Sequence, residues 1–105
     1  MKVIWMPLAK ETLRDTSDYI CKEFGKKIRN EFRQEVRHTS RLIGNHPYSG
    51  KVEPSLDELP DGFRSIVVSR LNKIVYRILE DRIEISDFWN CRRNPKNLVS
   101  NIMKQ

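Results

Sequence analysis

The sequence predicts an α+β protein: a small, mostly antiparallel β-sheet with an N-terminal strand and a helical hairpin packed on it, in the order β-α-α-β-β-β. Three observations predict this. Apolar residues recur at intervals of three and four across residues 8–43, with Gly25 midway. After Gly62 they alternate with a period of two. Between these stretches Pro47, Gly50, Pro54, Pro60 and Gly62 interrupt the chain too often for regular structure. At 105 residues the chain suits one domain, residues 1–105.

Taken in order, Lys2 to Met6 is a short β-prone run closed by Pro7, which can serve as the first-turn proline of a helix. Leu8, Thr12, Leu13, Thr16, Tyr19, Ile20 and Phe24 mark one face of that helix, and Gly25 can end it. Ile28, Phe32, Val36, Thr39 and Ile43 mark a second helix ending near Gly44. Two helices joined across one glycine should fold back as a hairpin. The loop from Asn45 to Gly62 follows. "FRSIVVS", "NKIVYRILE" and "RIEISDFW" then read as three antiparallel strands joined by short turns near Arg70-Leu71 and Asp81. Pro95 to Met103 can form a short helix with Leu98, Val99 and Ile102 on one side.

The formal net charge is +6, which points to an acidic partner without separating nucleic acid from protein or membrane surface. Residues 26–50 carry six basic residues against two acids, and residues 88–105 carry four against none. Residues 51–61 set Lys51 against Glu53, Asp57, Glu58 and Asp61. The start is interrupted by Pro7 and charged at Lys10, unlike a signal peptide, and no apolar run has membrane-spanning length. A soluble cytoplasmic protein is expected. Cys21 and Cys91 fall in no metal-ligand spacing, so two reduced thiols, no metal and no cofactor are expected.

Arg29, Arg33, Arg37 and Arg41 stand four apart on the second helix. None has an acid three or four residues away, whereas Glu31 and Glu35 lie on the opposite flank. Each like-charge pair at this spacing costs roughly 0.2–0.5 kcal/mol, so either the acidic loop or a second molecule should compensate. Arg92 and Arg93 follow the last strand in a tail without acids. One of them could pair with Glu84 or Asp87; both together suit an acidic partner. Arg64 shares a face with Ile66 and Val68 and reads as a strand-end residue or the holder of an acid such as Asp87. Trp89, by alternation, shares a face with Ile83 and Ile85. Tyr76, with Ile74 and Ile78, reads as core, and Tyr48 as part of a turn.

With these elements placed, "DGFRSIVVSRLNKIVYRILEDRIEISDFWNCRRNPKNL" resembles the RelE/ParE superfamily of toxins from bacterial type II toxin-antitoxin modules. The likeness lies in the Gly-aromatic-Arg strand entry, the "IVYRI" strand and the Arg-Arg-x-Pro exit; the hairpin and the "HPYSG" turn, His46 to Gly50, also fit. The resemblance implies a basic toxin neutralised by a labile antitoxin whose tail wraps it. RelE-like members cleave messenger RNA on the ribosome; ParE-like members poison DNA gyrase.

Metal-free RNA cleavage needs groups that transfer protons as well as cations. In a RelE-like nuclease the basic positions match Arg64, Lys73 and Arg92 here, still basic. A second lysine matches Ile66, a tail tyrosine falls near Leu98, and Asn90 stands where other members carry histidine. The cations remain, and the proton-transferring groups do not. His38 and His46 lie elsewhere, on the hairpin and in the loop.

The favoured reading is therefore a ParE-like gyrase inhibitor, with Arg29, Arg33, Arg37, Arg41, Arg64, Arg92 and Arg93 binding partners. A ribosome-dependent endoribonuclease using Arg64, Lys73 and Arg92 is the alternative. A basic nucleic-acid-binding module comes third, because aromatic residues are not interleaved with the basic ones.

Overall fold

The computed structural model describes residues 1–90 and 95–103, so Arg92 and Arg93 lie outside the described residues. The expected elements appear in the expected order. Strand β1 (Lys2–Trp5) leads through Met6 into helix α1 (Pro7–Phe24), and helix α2 (Lys26–Asn45) follows. Pro7 occupies the first turn of α1, where its missing N–H costs nothing. Gly25 alone separates the helices. Its φ of 92° lies in the region glycine adopts without penalty, its N–H donates to Cys21 O, and its carbonyl accepts from Arg29 N. One residue thus ends one helix and starts the next.

Strands β2 (Lys51–Val52), β3 (Arg64–Val68), β4 (Asn72–Ile78) and β5 (Arg82–Asn90) complete a five-stranded sheet, and helix α3 (Pro95–Met103) closes the chain. The strand order is β1-β5-β4-β3-β2. All neighbours are antiparallel except β1, which runs parallel to β5 with Val3 opposite Ile83. The Asn45–Gly62 segment, expected to be loop, is not wholly so: Lys51–Val52 pairs with Arg64 and Ser65, flanked by short 3₁₀ turns at Pro47–Ser49 and Pro54–Leu56. Two residues are too few to show a period.

Both sheet faces are covered. On one, α1 and α2 bury Ala9, Phe32, Val36 and Ile43 against Val68, Ile74, Tyr76, Ile83, Ile85 and Phe88. On the other, Leu56 and Phe63 from the connecting segment join Leu98 and Ile102 of α3 over Val75 and Trp89. Trp89 therefore does not share a face with Ile83 and Ile85. The reason is a bulge: Tyr76 pairs with Ile85 but Val75 pairs with Asp87, leaving Ser86 as an extra residue in β5. One inserted residue inverts the alternation, so Phe88 joins Ile83 and Ile85 while Trp89 turns to the second core.

The hairpin is less buried than its apolar pattern implies. Tyr19 and Phe24 of α1 and Ile28 of α2, all near Gly25, stay exposed.

Candidate functional site

The arginine row on α2 borders an open sheet edge. Because β1 pairs only with β5 among the described residues, its outer side presents backbone groups that none of them pairs. Beside that edge runs a groove of about 710 Å³ with Val3, Trp5 and Leu13 in its apolar lining. Lys2, Lys10, Arg14, Arg29 and Arg33 line it against a single acid, Asp18. Arg37 and Arg41 continue the row along an adjoining hollow of about 280 Å³ that again includes Trp5 and Leu13. The sequence signalled the arginines. Lys2, Lys10, Arg14 and the β1 edge escaped notice, because they reach the arginines only through tertiary packing.

The acidic loop does not compensate this row. Among the described residues no ion pair joins Arg29, Arg33, Arg37 or Arg41 to a carboxylate. Arg29 donates to Asn30 Oδ1 at 3.2 Å and to the half-buried, free Cys21 Sγ at 3.7 Å. Two of the four loop acids are engaged elsewhere. Asp61 binds Arg77 at 2.5 Å, and Glu53 binds Lys73 at 2.5 Å. Glu84, expected to be a partner for one tail arginine, accepts from Arg77 at 2.9 Å and from Arg82 at 3.0 Å. Burial pushes the Glu84 carboxyl up, but the two guanidiniums outweigh it and hold it below its ordinary value.

Arg64 has a different occupation from the α2 row. Its guanidinium donates to Gly50 O at 2.7 Å and lies 4.8 Å from the centre of the Tyr48 ring, a cation–π contact. The Tyr76 hydroxyl donates to Pro47 O at 2.6 Å and accepts from Gly50 N at 3.0 Å. Arg64 and Tyr76, opposite each other on β3 and β4, thus pin the His46–Gly50 turn to the sheet. Gly50 is required for want of space, since a Cβ there would stand 2.6 Å from Tyr76 Oη and 2.9 Å from Ser65 O. No carboxylate forms an ion pair with Arg64 among the described residues, so the expected Asp87 contact does not form.

Lys73 faces the other side of the sheet. It sits opposite Val67, one step out of phase with Arg64 and Ile66, and its ammonium reaches Glu53. Two of the three cations a RelE-like site would require are therefore separated by the sheet itself. β5, moreover, ends at Asn90 opposite Asn72, which pairs with Val68, four residues or roughly 13 Å along the sheet from Arg64.

Groups able to transfer protons do stand beside two of the cations, contrary to expectation: Glu53 beside Lys73, and Tyr48 against Arg64. Glu53 is 1% exposed, and both its oxygens are taken, Oε1 by Lys73 and Ser65 and Oε2 by Ser55 N. Burial raises its pKa, but these bonds prevail and hold the carboxyl below its ordinary value. A buried carboxylate held ionised anchors the β2–β3 region and is a poor proton donor to an external substrate. His38 and His46 are exposed, and the His46 amide caps α2 by donating to Leu42 O.

Among the described residues no helix is long and apolar enough to cross a membrane, and no group of three His, Cys, Asp or Glu is placed to hold a metal ion. No curated protein matches the chain. A solved structure titled "Chromosomal ParDE TA system from P. aeruginosa" shares the fold, with a TM-score of 0.71 and 19% identity over 86% of this chain and 95% of that one. The family model for the ParE toxin of the type II toxin-antitoxin system parDE matches residues 3–95. With that match spanning the hairpin and every strand but one residue of β1, the chain belongs to the ParE toxin family of type II toxin-antitoxin systems.

Proposed function

We propose that this toxin acts in the cytoplasm by binding and inhibiting DNA gyrase, and that its cognate antitoxin silences it by laying an acidic segment in the groove beside β1. The observation that carries the antitoxin half is the row of four α2 arginines, without a carboxylate partner among the described residues, set along an open strand edge. An extended segment can pair its backbone with such an edge while its acids meet the guanidiniums. An apolar lining of Val3, Trp5 and Leu13 supplies burial that charge alone would not.

Family membership supports gyrase as the target, and the separation of Arg64 from Lys73 weighs against ribosome-dependent cleavage. Arg92 and Arg93 are assigned to partner binding on sequence grounds.

The test is gyrase supercoiling of relaxed plasmid with the purified chain. Supercoiling should fall as the chain is added and return when antitoxin is supplied in equimolar amount. Undiminished supercoiling with the chain in excess over gyrase would sink the reading.

A further inference from the structure

The other flank of the hairpin carries a second groove of opposite character. Tyr19 and Phe24 of α1 and Ile28 of α2 fall on the apolar faces read from the sequence, yet they are 61%, 64% and 43% exposed. Leu71, in the turn joining β3 to β4, is 42% exposed. These four side chains converge on a cavity of about 350 Å³ between the Gly25 end of the hairpin and that turn. Scattered exposed apolar residues are ordinary, but four lining one concavity make a contiguous patch of the kind that marks a contact surface.

The polar rim has a sign. Glu31 and Glu35 line the cavity and, among the described residues, no Lys or Arg does, in a chain whose net charge is +6. Glu35 Oε1 accepts from Ser69 N at 2.9 Å, tying the turn to α2. Ser69 and Arg70 both hold positive φ, 55° and 64°, a conformation uncommon in residues other than glycine. That bond and backbone together fix the turn that presents Leu71. A nucleic-acid phosphate or an acidic peptide would be repelled by Glu31 and Glu35; an apolar segment bearing cations would be held by both floor and rim.

We infer that this groove is a second docking face, which takes an apolar protein segment flanked by lysine or arginine. It can be filled while the arginine-lined groove is occupied, because the two lie on opposite flanks of α2. Nothing in this assignment depends on the antitoxin or gyrase reading.

The test is a fluorescence titration of the full chain with a labelled amphipathic peptide of leucine and lysine at helical spacing, beside its leucine-glutamate counterpart. On the chain carrying Arg33→Glu with Arg37→Glu, whose α2 row no longer draws acidic peptides, the lysine peptide should bind about 10-fold or more tightly than the glutamate one. Phe24→Ser with Ile28→Ser should weaken that binding by about 10-fold or more, with an unchanged circular dichroism spectrum. Glu31→Gln, at an exposed position, provides a second arm: it should weaken binding and flatten its salt dependence. Arg33→Glu with Arg37→Glu should not weaken it. Equal or tighter binding of the glutamate peptide to the Arg33→Glu, Arg37→Glu chain, no binding of the lysine peptide, or indifference to both groove variants would overturn the assignment. So would sedimentation showing that the chain self-associates through Phe24 and Ile28, which would make the occupant a second copy.

Discussion

Arg33→Glu combined with Arg37→Glu is expected to weaken antitoxin binding by about 30-fold or more, since placing like charges across an interface costs several kcal/mol. The same pair of changes should leave the chain as stable as before, or slightly more so. In the native α2, Arg29, Arg33, Arg37 and Arg41 form three like-charge contacts in succession. After substitution two become attractive and one stays repulsive, and each is worth roughly 0.2–0.5 kcal/mol. Loss of binding without loss of stability is the signature of a surface kept for a partner. Titration calorimetry with the cognate antitoxin, alongside urea unfolding, reads both quantities. Unchanged affinity would make the row an ordinary solvated face.

Glu53→Ala should have the largest effect on stability. Glu53 is 1% exposed, bridges Lys73, Ser65 and Ser55, and so joins the segment before β3 to both β3 and β4. Removing it leaves the Lys73 ammonium, itself 18% exposed, without its counter-charge. Breaking one partner of a buried pair costs about 3–5 kcal/mol, a large share of the total stability of a small protein. A pH dependence follows from the same group. Its folded pKa lies below the ordinary carboxylate value of 4.5, so the unfolded chain takes up the proton first. The contribution is complete above that ordinary value and is lost as pH falls through the depressed folded value. Glu84, held down by Arg77 and Arg82, adds to the same acid limb. Urea midpoints measured from neutral to acid pH should fall for the native chain and fall less steeply for Glu53→Ala. Parallel slopes would mean that Glu53 is not held ionised by Lys73.

The fold was legible wherever its signal is local. Gly25 between two stretches of helical period announced the hairpin, and Pro7 and Pro95 each stand at a helix start. Features that depend on pairing between distant residues were not legible. The bulge at Ser86 leaves Ile83, Ile85 and Trp89 looking like one uninterrupted alternation, and only the register against β4 shows that Trp89 has changed sides. Glu53 and Lys73 are 20 residues apart, and neither side chain advertises the other. Tyr19, Phe24 and Ile28 misled in the opposite sense: apolar residues at helical spacing look buried whether or not anything covers them.

The candidate site divides in the same way. The α2 row could be read because like charges four apart on a helix are neighbours whatever the rest of the chain does. Its setting could not be read, because the parallel pairing of β1 with β5 brings Lys2 and Trp5 alongside it. Arg64 was grouped with the partner-binding residues, yet its guanidinium is engaged by Gly50 and Tyr48. Charge on a strand says little until the turn it meets is known.

The proposed function has this toxin grip proteins and leave RNA uncut. Primer extension across messages in a translation reaction containing ribosomes and the purified chain tests that most directly. Full-length products with no new ends are expected, whereas cuts at fixed positions within codons would overturn the proposed function.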